Sequence, residues 1–131
     1  MCLENNNHSV FKMKYCLYLT TNKLSPVITS EVSEKLKEIF ENIAPRYNIS
    51  INEWVYKEDS IKILFNGHPN TELKKFINAY KSAASRLIKK DFPHIVDNLD
   101  KGQFWSKTFC LVTYESGVDE EEIRTYMEKK S

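Results

Sequence analysis

The hydrophobic positions of this chain follow two different periods, and the period changes from one segment to the next. Residues 14–21, KYCLYLTT, combine aromatic and aliphatic side chains in a short run that is typical of a strand. Residues 31–44 instead place apolar side chains at helical spacing, with Thr29 or Ser30 as a candidate N-cap. The pattern predicts strands at 14–21, 47–56, 60–66 and 103–114, and helices at 31–44, 71–90 and from about 119.

The segment EDSIKILF, residues 58–65, has an unusual pair of polar side chains within a predicted strand. Because successive side chains of a strand point to opposite faces, Ile61, Ile63 and Phe65 share one face. Ser60 and Lys62 then share the other. The preceding strand, 47–56, is the expected hairpin partner, and its uneven alternation indicates a possible bulge.

The predicted order of elements is β-α-β-β-α-β-α, which favours an α+β fold. This is a ferredoxin-like β-α-β-β-α-β sandwich with an extra C-terminal helix and a four-stranded antiparallel sheet. With 131 residues, we expect a short N-terminal tail at 1–13 and a single domain at 14–131. Such sandwiches serve many functions, so the fold plan alone does not assign one.

The composition is that of an ordinary soluble protein, with a formal net charge of +1. Any basic surface must therefore come from local clustering. The three cysteines include no C-x-x-C pair, which favours a reduced chain. No run is long and apolar enough for a membrane span, and the first residues lack the apolar core of a signal peptide. We expect a cytoplasmic protein that does not enter membranes.

The second predicted helix carries a basic face beside its apolar stripe. A solvated helix surface and a surface that follows a phosphate backbone would both look like this. The basic residues of this helix are Lys74, Lys75, Lys81, Arg86, Lys89 and Lys90.

Four strings in the chain, taken in order, carry a family resemblance. They are DSIKIL at 59–64, KSAASRLIKKDFP at 81–93, FWSKTF at 104–109 and GVDEEEIRTYMEKK at 117–130. Together they resemble the single-tyrosine HUH transposases of small bacterial insertion sequences, a group that includes REP-associated tyrosine transposases. The resemblance extends over about residues 14–130, nearly the whole chain.

This resemblance implies a dimer that recognises hairpins in single-stranded DNA. It also implies a tyrosine on the last helix that attacks a phosphodiester, and by position this residue is Tyr126. In the family, two histidines and a glutamine hold a divalent metal beside the tyrosine. The corresponding positions here are Ser60, Lys62 and Lys130.

The chain departs from the family at all of these metal-ligand positions. A protonated lysine has no lone pair for a metal, and a serine hydroxyl alone is a poor ligand. His68 and His94 lie outside the strand, so we do not expect them to rebuild the site. We therefore expect no metal and no other cofactor. The ammonium groups of Lys62 and Lys130 could instead supply positive charge to a phosphate.

Replacement of the ligands argues against an enzyme, and it favours a catalytically impaired relative with Tyr126 retained. Its expected partner is structured single-stranded nucleic acid, a DNA hairpin, although RNA is also possible. The protein would then be regulatory or domesticated. Two alternatives remain: an active transposase or nuclease with an unorthodox metal site, and a protein-interaction module. The expected nucleic-acid-binding residues are Lys62, Lys130, Lys74, Lys81, Arg86 and Lys89. A homodimer joined through the edge strand 103–114 is also expected.

Overall fold

A computed structural model describes residues 13–68, 71–113 and 125 of the chain. The strands are β1 (Met13–Thr20), β2 (Ser50–Lys57), β3 (Ser60–Gly67) and β4 (Cys110–Thr113). The long helices are α1 (Ser30–Ile43) and α2 (Leu73–Asp91), and short 3₁₀ segments are Asn22–Leu24, Ala44–Tyr47, Pro93–Asn98 and Asp100–Gly102. None of the helices in this part of the chain is long and apolar enough to cross a membrane.

The strands form one sheet in the order β2-β3-β1-β4, and every neighbouring pair is antiparallel. The hairpin β2–β3 contains a register shift between Ile51 and Glu53, which confirms the predicted bulge. The predicted four-stranded antiparallel sheet with helices is therefore confirmed. The expected C-terminal helix from Asp119 falls outside the described residues.

Helix α1 begins where the sequence places its cap. The Thr29 side chain accepts a hydrogen bond of 3.2 Å from the backbone N–H of Val32, so Thr29 rather than Ser30 is the N-cap. On the side of α1 that faces away from solvent, Leu36 and Phe40 are completely buried. This stripe fixes which side of α1 faces the sheet.

An aromatic cluster joins both helices to one face of the sheet. The Phe40 ring lies with its centroid 5.1 Å from Phe76 and 5.2 Å from Tyr80, both on α2. It also lies 6.1 Å from Phe65 on β3. The Tyr80 hydroxyl donates a 2.9 Å hydrogen bond to the Leu36 carbonyl, so the one polar group of the cluster has a partner.

The predicted long strand 103–114 is wrong in its first half. Strand pairing begins only at Cys110, and before it Trp105 forms an isolated bridge with Thr21. The three consecutive residues Phe104–Ser106 are all buried, which does not match the alternation of a half-buried strand. Their backbone instead bonds the end of β1, through Asn22 N–H to the Phe104 carbonyl and Ser106 N–H to the Thr20 carbonyl, both at 2.9 Å.

The structure differs from the prediction in two other segments. Strand β2 begins at Ser50 rather than at 47, because Ala44–Tyr47 extends α1 as a 3₁₀ turn that ends at Asn48 in a left-handed conformation, φ 58°. The predicted loop after α2 also contains the two 3₁₀ segments from Pro93 to Gly102.

Because Phe40 contacts aromatic rings from β3 and α2 at once, its removal should open a cavity that no single element can fill. We expect Phe40→Ala to lower the free energy of unfolding by about 3–5 kcal/mol. Urea unfolding followed by circular dichroism measures this change. Tyr56→Ala, at a site 40% exposed, is the control and should cost less than about 1 kcal/mol. Similar losses for the two variants would contradict this description of the core.

Candidate nucleic-acid interface

Ser60 and Lys62 lie on the face of the sheet that points away from the helices. Their neighbours Ile61 and Ile63 belong to the buried core with Phe65, so alternation places the polar pair on the opposite face. In the register of the sheet, Lys62 pairs with Val55 of β2 on one side and with Tyr18 of β1 on the other. The predicted division of β3 into two faces is therefore confirmed.

The two polar residues differ in exposure. Ser60 is only 2% exposed and sits between Lys57 and Thr20, whereas Lys62 is half-buried. The outer face of the sheet is therefore covered at Ser60 and partly open at Lys62. Of the two, Lys62 alone has part of its side chain open to a ligand.

The donors at these positions do not fit the divalent metal that the family resemblance implies. Ser60 offers one hydroxyl and Lys62 offers an ammonium group, which repels a cation. His68 follows the last residue of β3, and exposed His94 lies beyond α2 with its ring beside Phe92 at 6.3 Å. Within residues 13–68 and 71–113, no group of three His, Cys, Asp or Glu side chains could hold a metal ion.

A cleft of about 660 Å³ lies between α2 and the segment 103–107 that leads to β4. It is lined by Lys81, Ser82, Ser85, Arg86, Lys89, Gln103, Phe104, Trp105, Ser106 and Lys107. Four of these side chains are cationic, three carry hydroxyl groups and none is a carboxylate. Such a lining attracts anions and offers them hydrogen-bond donors.

The two cleft lysines on α2 are bound to the opposite wall. The Lys81 ammonium donates a 2.8 Å hydrogen bond to the Ser106 carbonyl and lies 5.9 Å from the centre of the Phe109 ring. The Lys89 ammonium donates a 2.9 Å hydrogen bond to the Gly102 carbonyl. Burial lowers the pKa of Lys81, because removal from water disfavours the charged form.

Arg86 and Lys107 are the exposed cations of the cleft, one on each wall. Trp105, 7% exposed, also lines the cleft, and its buried indole N–H has no hydrogen-bond partner among the described residues. Lys74 is exposed near the start of α2 and does not line the cleft. Of the predicted binding residues, the structure therefore brings together Lys81, Arg86 and Lys89.

Lys62 does not join this group. Helix α2 packs on the core face of the sheet, with Phe76 beside Phe65 at 6.4 Å, whereas Lys62 is on the other face. Tyr126 and Lys130 fall outside the described residues. Sequence reasoning missed Lys107, although it directly follows the string FWS that carried part of the resemblance.

The architecture is that of a transposase. A crystal structure from Deinococcus radiodurans R1, of a protein assigned as a transposase, superposes with a TM-score of 0.83 at 24% identity, covering 98% of each chain. A REP-associated tyrosine transposase, solved with a bound REP hairpin, gives a TM-score of 0.58 at 12% identity, covering 96% of this chain and 68% of that one.

The sequence comparison then gives the family. The family described as "Transposase IS200 like" matches residues 9–130, and the chain belongs to it. Among characterised relatives, the ISDra2 transposase TnpA of Deinococcus radiodurans is 23% identical over 121 residues, covering 92% of this chain and 86% of the relative. The family resemblance inferred from the four strings is thereby confirmed.

The burial of Ser60 predicts how the fold would respond to a histidine at this position. We expect Ser60→His to lower the free energy of unfolding by about 1–3 kcal/mol, because an imidazole must enter a position that is already closed. Urea unfolding measures the loss. Ser60→Ala, which removes the hydroxyl without adding volume, is the matched control and should cost about 1 kcal/mol or less. A Ser60→His variant as stable as the parent would show that the position still has room for a ligand.

Proposed function

We propose that this chain is a catalytically impaired member of its transposase family that binds structured single-stranded nucleic acid, with a DNA hairpin as its partner. The observation that carries the proposal is the donor set on β3. Ser60 is buried and Lys62 is half-buried, and the family resemblance implies that these are the two positions of the metal-binding histidines. The ammonium group of Lys62 suits a phosphate, and neither side chain suits a divalent cation.

The charge of the site supports binding without chemistry. An ammonium group at Lys62, with a second from Lys130, would attract a phosphodiester as point charges. Phosphoryl transfer also needs positive charge held in a fixed place against the oxygens on which negative charge develops in the transition state, and a flexible ammonium supplies this poorly. Tyr126 would then occupy the nucleophile position without a group to activate the phosphate. A protein that still binds the hairpin but no longer cleaves it can act only through binding, which is the reason we propose a regulatory or domesticated role.

The cleft on the helical side supports nucleic acid over a protein partner. If the partner were a protein with an apolar surface, this chain should carry a neutral apolar patch to bind it. The cleft instead has four cationic side chains and no carboxylate. The solved REP-associated tyrosine transposase is bound to a REP hairpin, and a DNA hairpin is the partner we propose for this chain.

A hairpin-binding assay tests this function. The wild-type protein should shift a labelled DNA hairpin equally well with and without EDTA, because no metal takes part. Lys62→Ala should lower the slope of log affinity against log salt by about 0.7–0.9, the value for one lost phosphate contact. Lys37→Ala, an exposed lysine on α1, is the charge-matched control and should leave the slope unchanged. An RNA hairpin of the same sequence, in a parallel arm, decides between the two nucleic acids.

The same mixture decides whether catalysis survives. With manganese present, wild-type protein and hairpin DNA should give no denaturation-resistant protein–DNA band. A band that disappears in Tyr126→Phe would mean that the enzyme is active, and it would overturn the loss of chemistry while leaving hairpin binding intact. Failure to bind either hairpin would overturn the proposed function itself.

We also propose a cytoplasmic homodimer. The edge strands of the described sheet are β2 and β4, and edge strands present backbone groups that a second copy can pair. The expected edge at 103–114 is shorter than the sequence suggested, since β4 covers only Cys110–Thr113. Light scattering at high micromolar concentration should give twice the 15.4 kDa chain mass. A mass of one chain at that concentration would contradict the dimer.

A further inference from the structure

The basic cleft contains two kinds of lysine and arginine, and they differ in what their charged groups touch. The ammonium groups of Lys81 and Lys89 each donate a hydrogen bond to a backbone carbonyl of the facing segment. Arg86 and Lys107 are exposed, and their charged groups have no salt-bridge partner among the described residues. Four cations in one cleft therefore divide into two that hold the walls together and two that face outward.

We propose that the cleft is a phosphate-binding subsite in which Arg86 and Lys107 contact the backbone of the nucleic acid, while Lys81 and Lys89 are positioning residues. This inference rests on the proposed function and adds the surface through which it acts. It assigns Lys107, on the segment before β4, the contact role that sequence reasoning gave to Lys81 and Lys89.

The positioning role follows from how the segment 102–107 is supported. On the side of β1, backbone bonds from Asn22 to Phe104 and from Ser106 to Thr20 fix the segment as far as the Ser106 N–H. The carbonyl of Ser106, which leads directly into Lys107, is held on the α2 side by Lys81. Without Lys81, the backbone at Lys107 would lose its support on that side of the cleft.

Arg86 needs no such support, because it stands on α2 itself. This helix is anchored by Phe76, Ile77, Tyr80, Ala84 and Ile88, which are all completely buried. The two proposed contacts thus depend on Lys81 to different degrees. Lys107 depends on it, and Arg86 does not.

Other features of the cleft fit a phosphate ligand. The hydroxyl groups of Ser82 and Ser85 line the same wall as Arg86 and can donate to phosphate oxygens. Three hydroxyl groups and four cationic side chains in one cleft without a carboxylate form a lining that favours an anion.

A double-mutant cycle on the salt dependence of hairpin binding separates contact from positioning. Arg86→Ala and Lys107→Ala should each weaken binding about tenfold and each lower the slope of log affinity against log salt by about 0.7–0.9. Lys81→Met should lower the slope by the same amount, because it displaces Lys107. The double variant Lys81→Met/Lys107→Ala should match Lys81→Met alone, whereas Lys81→Met/Arg86→Ala should show the sum of both losses.

A ligand-free measurement tests the support directly. In the unbound protein, Lys81→Met should speed amide hydrogen exchange at Ser106, Lys107 and Thr108 and lower Tm by about 3–6 °C. Lys81→Arg, which keeps a charged donor, should restore most of the exchange protection and most of the slope. Arg86→Ala should change neither exchange nor Tm. Lys90→Ala, an exposed lysine of α2 outside the cleft, controls for charge and should leave both the slope and the exchange unchanged.

The subsite and the proposed function fail in distinguishable ways. If wild-type protein binds the hairpin but Arg86→Ala and Lys107→Ala leave the slope intact, the subsite is wrong and the function stands. Additive losses for Lys81→Met and Lys107→Ala would make Lys81 a direct contact and overturn its positioning role. Inorganic pyrophosphate provides a probe that is independent of hairpin recognition. It should shift the NMR amide signals of residues 82–86 and 103–107, and unchanged signals there would overturn the anion subsite.

Discussion

The pairing of β3 on both of its edges is the constraint on which the rest of this structure depends. β3 lies between β2 and β1, so its register fixes the register of both neighbours. Its apolar face is held against the helices by the contacts of Phe65 with Phe40 and Phe76. A slip by one residue would turn this face to the outside. The same constraint keeps Ser60 and Lys62 on the face away from the helices.

This constraint also keeps the side chains of Ser60 and Lys62 out of the helix–sheet core, so they do not decide how the helices pack on the sheet. Ser60 is nevertheless enclosed between Lys57 and Thr20 of the neighbouring strands, so a larger side chain has little room there. Lys62 is the one of the two whose charge a ligand could meet. Two unit charges 4 Å apart near a protein surface attract by about 4 kcal/mol before the cost of removing water from them is counted. A lysine supplies that attraction, but it does not fix the geometry of a phosphoryl group as a coordinated metal does.

Much of this architecture could be predicted from the sequence, and the exceptions have physical causes. Both long helices and strand β3 follow clear hydrophobic periodicity, and their apolar residues occupy the expected faces. Residues 103–109 were predicted as strand because Phe104, Trp105 and Phe109 favour that state locally. Their backbone partners are distant in sequence, at residues 20–22, so no local pattern could show that strand pairing stops there. The attachment of Lys81 and Lys89 to carbonyls is also invisible in the sequence, because a lysine bound to the backbone and a lysine facing solvent have the same residue pattern.

The end of β1 connects the two faces on which the candidate sites lie. Thr20 pairs with Ser60 in the sheet, and its carbonyl accepts the N–H of Ser106 in the cleft wall. Thr21, completely buried, donates its N–H to the Asp59 carbonyl at 2.9 Å and forms the isolated bridge with Trp105. Buried polar groups of this kind are retained only when their hydrogen bonds are made, so this short segment has little freedom to move. The hairpin turn before Ser60 and the backbone before Lys107 are therefore held by the same two residues, Thr20 and Thr21, so the two candidate sites share their backbone support.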